Sequence, residues 1–174
     1  MNKNIAIFIL LAGFFFVSAC GEKKEATPTT SEVKPNHQVD SLESSSNDGF
    51  KGWLTSETAA FDKAKGEDRS VLILFTGSDW CPPCMMMEKE VFSTTEFKQF
   101  AEKNIVLLLA DFPRAKDQSA QQKEANDILG KKYDVEAFPT VILVNQDGKV
   151  LWKNLGHLPG GPNALIEQIN KNNQ

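Results

Sequence analysis

Apolar and polar positions alternate in blocks along this chain. Val71–Phe75 and Ile105–Ala110 are short, continuous apolar runs, with the length and composition of strands buried on both faces. Thr140–Val144 is a third run of this kind. Asn145-Gln146-Asp147-Gly148 and Lys149–Lys153 follow it, which predicts a hairpin turn and a return strand. Helical patterns lie between these runs. Thr55 or Ser56 can cap a helix reaching about Lys65, with Ala60, Phe61 and Ala64 inward and Gly66 ending it. The residues from Met85 to Glu90 are good helix formers with no breaker. Ser93-Thr94-Thr95-Glu96 has the form of a capping box, opening a helix with Phe97, Phe100 and Ala101 inward. A further helix from a Ser119 cap to about Lys132 carries Ala125, Ile128 and Leu129 on one face. Pro162 starts a last helix with Leu165, Ile166 and Ile169. Gly52-Trp53-Leu54 is either a short edge strand or an aromatic plug over the core.

The resulting order is helix, strand, helix, helix, strand, helix, hairpin, helix. Strands joined through helices run parallel, and a hairpin is antiparallel. The fold class is therefore α/β, with a central mixed sheet flanked by helices on both faces.

One stretch carries the candidate chemistry. Gly77-Ser78-Asp79-Trp80-Cys81-Pro82-Pro83-Cys84 joins the first buried strand to the helix after it. Cys81 falls near the helix N-terminus, where the helix dipole and unpaired N–H groups favour an anion. Its thiolate is the expected nucleophile, and Cys84, one turn on, is placed to resolve a mixed disulfide. The two prolines stiffen the loop between them. Half a zinc site would need a second ligand pair, which the sequence lacks, and a purely structural bridge gains least from so short a loop.

Trp80-Cys81-Pro82-Pro83-Cys84 resembles the active site of the thioredoxin superfamily. Phe138-Pro139-Thr140 resembles its cis-proline loop, and the likeness runs from about Phe50 to the C-terminus. The resemblance implies the thioredoxin fold over residues 50–174, a cis Phe138–Pro139 bond facing the two sulfurs, and a substrate surface formed by Trp80, Phe138 and Pro139. It implies a protein disulfide oxidoreductase that uses Cys81 and Cys84 as a redox disulfide and needs no cofactor or metal. One departure stands out: Phe75 occupies the place, six residues before the first Cys, where many thioredoxins carry a buried Asp. Glu88 is a weak substitute by helical spacing. The reductase or isomerase direction is favoured over the oxidase one.

Length and charge narrow the partners. The chain has 174 residues, 41% of them hydrophobic, and a net charge of −4. That suits one domain with its own core and argues against a nucleic-acid footprint. Residues 1–19 have the form of a signal peptide, with Lys3 at the start and an apolar run, Ile5–Val17, too short to span a membrane. Val17-Ser18-Ala19-Cys20 resembles a bacterial lipobox, which implies a lipidated Cys20 and a membrane anchor. Residues 20–49 are polar and aperiodic, a disordered tether spanning on the order of 30 Å as a coil. His37 within it has no evident role. The expected location is the cell envelope, on the outer membrane if the cell has two. The expected partners are exported proteins with cysteine pairs and a membrane or periplasmic redox protein. Two alternatives differ in class. Met85, Met86 and Met87 beside the cysteines are soft ligands suited to Cu(I), consistent with copper delivery. A non-catalytic adaptor would bind clients without turning them over.

Overall fold

The structure, a computed structural model, describes residues 50–173. Cys20, the apolar leader, the tether and His37 lie outside the described residues.

Strand β1 (Ser70–Thr76) is buried along its whole length, as a run with no polar face requires. It lies inside a four-stranded sheet of order β2-β1-β3-β4. Strand β2 (Ile105–Asp111) runs parallel to it, from Ser70↔Ile105 to Thr76↔Asp111. Strand β3 (Thr140–Val144) runs antiparallel on its other side, with Phe75 opposite Thr140. Strand β4 (Val150–Leu155) pairs with β3 through the expected hairpin. Leu54 adds one parallel bridge to Leu108 at the outer edge, while Trp53 beside it is buried in the core. Both readings of that tripeptide hold.

Helices cover the two faces. Helices α1 (Glu57–Glu67) and α4 (Ala120–Lys132) close one core, with Ala60, Ala64 and Leu129 against Val71, Ile73 and Phe75. On the other face, α3 (Thr95–Asn104) and α5 (Gly161–Asn172) pack Phe97, Leu165 and Ile169 with Leu72 and Leu74. Alternate β1 side chains feed the two cores, as the pleat demands. The architecture is the expected mixed α/β sandwich.

Several boundaries differ from expectation, each for a local reason. Helix α1 runs through Gly66 and ends at Asp68, which takes the left-handed conformation (φ 52°) and donates its N–H to Ala64 O. The helix after the cysteines, α2 (Pro82–Met87), continues as a π-helical turn over Glu88–Phe92. That extra turn buries both Val91 and Phe92. Ser93 closes it, so the cap of α3 falls to Thr94, whose hydroxyl accepts from Phe97 N–H. The inward face of α4 is rotated from the predicted one. Asn126 and Leu129 are buried, Ala125 is exposed, and Ile128 is 56% exposed.

Candidate active site

Because β1 and β2 are parallel, their C-terminal ends lie together, and antiparallel β3 brings its N-terminal end to the same edge. Three loops therefore meet there: residues 77–81 after β1, residues 112–119 after β2, and residues 134–139 before β3. The expected cysteines and the expected proline both lie on this edge.

Cys81 and Cys84 are joined as a disulfide with an S–S distance of 2.05 Å. Both are buried, at 4% and 3% exposure. Cys81 is the N-cap of α2, and Pro82 and Pro83 are the first two helical residues. An N-cap side chain normally accepts from the N–H of the second or third helical residue. Pro83 has no N–H to offer, and the N–H of Cys84 is already bonded to Cys81 O at 3.0 Å. The Cys81 sulfur is thus capped by no hydrogen bond. The helix dipole remains, but the donors that would hold a thiolate most tightly are reduced to the shared one on Cys84.

The Phe138–Pro139 bond is cis. Pro139 O accepts from Gly156 N–H at 2.7 Å, and Thr140 Oγ1 donates to Ala137 O at 2.7 Å. These two bonds fix the loop on either side of residue 138. Among the described residues, neither the N–H nor the C=O of Phe138 has a hydrogen-bond partner. That leaves main-chain groups open at the edge that bears the disulfide.

Trp80 is held from three sides. Its Nε1 donates to Phe112 O at 2.7 Å, its ring meets Phe138 edge-on at 6.1 Å between centroids, and the Arg114 guanidinium lies 3.7 Å from the ring centroid. Phe112 in turn stacks on Phe138 at 4.9 Å. The ring also lies over Gly77, where a Cβ would come within 2.5 Å of it. Trp80 and Phe138 accordingly pack together, with Pro139 next in the chain, and Phe112, Arg114 and Gly77 complete the cluster.

A polar cluster supports the loop from behind. Asp79 accepts the backbone N–H groups of Arg114, Ala115 and Lys116, at 2.7–3.2 Å. The Arg114 N–H bond foremost holds its carboxyl below the usual carboxylate range. Asp111 accepts from Ser78 N–H at 2.9 Å and Ser78 Oγ at 2.6 Å. Lys116 Nζ donates to Ser78 Oγ at 3.2 Å. Glu88, one helical turn beyond Cys84, is half-buried. Burial pushes its carboxyl above the ordinary range, the Lys116 charge draws it back, and Asp111 pushes it up again. Phe75, where a buried Asp would serve a thioredoxin, is fully buried and apolar.

Asp111, Phe112, Arg114 and Lys116 did not stand out from sequence alone, and Ser78 and Asp79 were only part of the stretch around the cysteines, with no role assigned. The available signal was positional. Two parallel buried runs must end at one edge, where ligand and substrate sites gather in α/β sheets; Asp111 closes one strand and Asp79 lies three residues past the other.

A disulfide at a strand–helix junction, beside a cis-proline loop and on a mixed sheet covered on both faces, defines a thioredoxin-type fold with a redox-capable site. The chain belongs to the thioredoxin-like domain family, whose model matches residues 58–169. It is 32% identical over 110 residues to the disulfide bond reductase DsbH of Chlamydia pneumoniae, an alignment covering 63% of this chain and 66% of that protein. It is 26% identical over 101 residues to the thioredoxin-related protein DsbJ of Chlamydia pneumoniae, covering 58% and 29%. It thus spans just under two thirds of the first relative and less than a third of the second. Among solved structures, a DsbH oxidoreductase superposes with a TM-score of 0.64 and 28% identity, over 75% of this chain and 90% of that one.

Proposed function

We propose that the protein is a thiol–disulfide oxidoreductase of the cell envelope, working in the reducing direction on cysteine pairs of exported proteins. The observation that carries this reading is the buried Cys81–Cys84 disulfide at the start of α2. In the reduced protein, the Cys81 thiolate attacks a client disulfide sulfur and forms a mixed disulfide, and the released client sulfur leaves as a thiolate. Cys84, deprotonated, then attacks Cys81 Sγ. The client's second thiolate departs, and the Cys81–Cys84 bond re-forms. A redox partner must return two electrons for the next cycle. The open main chain of Phe138 supports strand-like pairing with an extended client segment.

The capping of Cys81 supports the reducing direction. A dithiol becomes a strong oxidant when its reduced form is specially stabilised, and here Pro83 removes one of the donors that would do this. The relative named a disulfide bond reductase agrees. Equilibration with a glutathione buffer tests it. The reduction potential is expected nearer the about −270 mV of a reducing dithiol than the about −120 mV of a strong oxidant. A value near the latter would refute the direction.

Attachment through a lipidated Cys20, on the outer membrane of a double-membraned cell, completes the proposal. It is supported by Val17-Ser18-Ala19-Cys20 followed by Gly21. A second reading, Cu(I) handling, has one observation in its favour: Met85 and Met86 are 42% and 46% exposed beside the cysteines, while Met87 is buried. Titration of the reduced protein with Cu(I) against a competing chelator separates the two. Only tight binding that Met85→Leu and Met86→Leu weaken supports copper.

A further inference from the structure

We propose that the groove at the opposite end of the sheet from the disulfide is a docking surface for the headgroups of an anionic bilayer. This groove has a volume of about 420 Å³ and forms where the entry turn, α1, the start of β1 and α3 come together. Lys51, Lys63, Arg69 and Lys98 line it, with Glu102 as the single carboxylate among its walls. Arg69 donates to Glu102 O at 2.7 Å and pairs with Glu67. The three lysines form no ion pair among the described residues. Four cations from four separate segments thus face one space, on a chain whose net charge is −4. The base of the groove is apolar and includes Trp53 and Ile105. Lysine heads around an apolar base match a membrane interface, where long basic side chains keep their charge among the headgroups.

Position says the same. Ile105 begins β2, whereas the disulfide follows the far end of parallel β1. Seven residues at about 3.3 Å each separate the two ends by roughly 20 Å. Residues 20–49, which begin with the proposed anchor Cys20, join the domain at Phe50, next to Lys51. Docking at this groove would therefore set the domain down beside its point of attachment, with Cys81 turned away from the bilayer. A phosphate-bearing headgroup and free phosphate share the same anionic chemistry. The apolar base and the chain junction favour the lipid. The orienting role rests on the anchored reading above, but binding to vesicles does not.

The test uses the chain from residue 20 onward carrying Cys20→Ser, the form that cleavage before Cys20 leaves, so that neither a lipid nor the apolar run Ile5–Val17 contributes. Co-sedimentation is measured with phosphatidylcholine vesicles, with and without phosphatidylglycerol, over a range of salt. Binding should increase with phosphatidylglycerol and fall as salt rises. Adding Lys51→Gln, Lys63→Gln and Lys98→Gln should cut the phosphatidylglycerol-dependent part about a hundredfold, at roughly fivefold per charge. The thermal midpoint and reduction of a soluble disulfide substrate should stay unchanged. No preference for phosphatidylglycerol, or a preference that survives the triple substitution, would overturn the proposal. So would stabilisation by millimolar inorganic phosphate without vesicle binding, which marks a free-anion site. A protein that binds vesicles but reduces no disulfide would sink the redox reading and leave this one standing.

Discussion

Cys81 and Cys84 are expected to respond differently to the same change. Cys84→Ser leaves the attacking sulfur in place and removes the resolving one, so mixed disulfides with clients should accumulate on a non-reducing gel. Cys81→Ser should trap none, and equal trapping by both would refute the roles assigned. Gly77→Ala tests the packing around Trp80. A methyl group there would meet the indole, at a cost of about 1–3 kcal/mol for overpacking, and client turnover should fall more than stability does. Glu88 gives a pH signature. Its carboxyl titrates above the ordinary range because of burial, so its contribution to stability is full below the unfolded value and is lost as pH rises through the folded one. Glu88→Gln should therefore raise the thermal midpoint at neutral pH and leave it unchanged in acid. At this scale Cys81, Cys84 and Pro139 were legible in the sequence, because their chemistry is local. The partners of Trp80 were not, since Phe112 and Arg114 reach it only through the shared end of two parallel strands.

Helix α2 is where an element, rather than a side chain, sets the chemistry. Pro83→Ala restores an N–H at the second helical position, within reach of the N-cap sulfur. One hydrogen bond to a thiolate contributes on the order of 1.5 kcal/mol, and for a two-electron couple that is about 30 mV. The variant's reduction potential should rise by that order, and its Cys81 thiol should titrate lower. An unchanged potential would mean that the missing donor has no part in the direction of reaction. Helix α4 shows why its face could not be read correctly. Counting apolar residues selects Ala125 and Ile128, but the groups that need covering include the carbonyl of Asp111. Asn126 Nδ2 donates to that carbonyl at 2.7 Å, and Asn126 Oδ1 accepts from Gln122 Nε2 at 2.8 Å. A buried amide that satisfies a strand's last carbonyl outweighs an isoleucine as the inward residue. Asn126→Ala should cost about 1–3 kcal/mol in denaturant unfolding, whereas Ile128→Ala should cost little.

For the whole molecule, which strands run parallel, which antiparallel, and a sheet covered on both faces were accessible from the alternation of buried runs and helices, whereas the strand order was not. Connection rules leave few ways to arrange two parallel strands and a hairpin. Helix ends were less accessible. The π-helical turn at Glu88–Phe92 depends on a need to bury Val91 and Phe92 together, which appears only when α5 and the sheet are in place. The proposed attachment is tested at this scale. Cys20→Ser should move the protein from the membrane to the soluble fraction or leave it unprocessed, and unchanged fractionation would refute the anchor.

The carboxylate of Asp79 gathers three consecutive amides from a loop 35 to 37 residues away. The loop that carries Arg114 and the loop that carries the redox pair should therefore open as one unit. Native-state hydrogen exchange should show the amides of Arg114, Ala115 and Lys116 protected to a common degree, lower than that of β1. Asp79 titrates below its ordinary value, so the stability it contributes is present above the unfolded value and is lost as pH falls through the folded one. In acid those three amides should lose protection together while the sheet keeps its own. The rim of the site would loosen first, with the disulfide still closed.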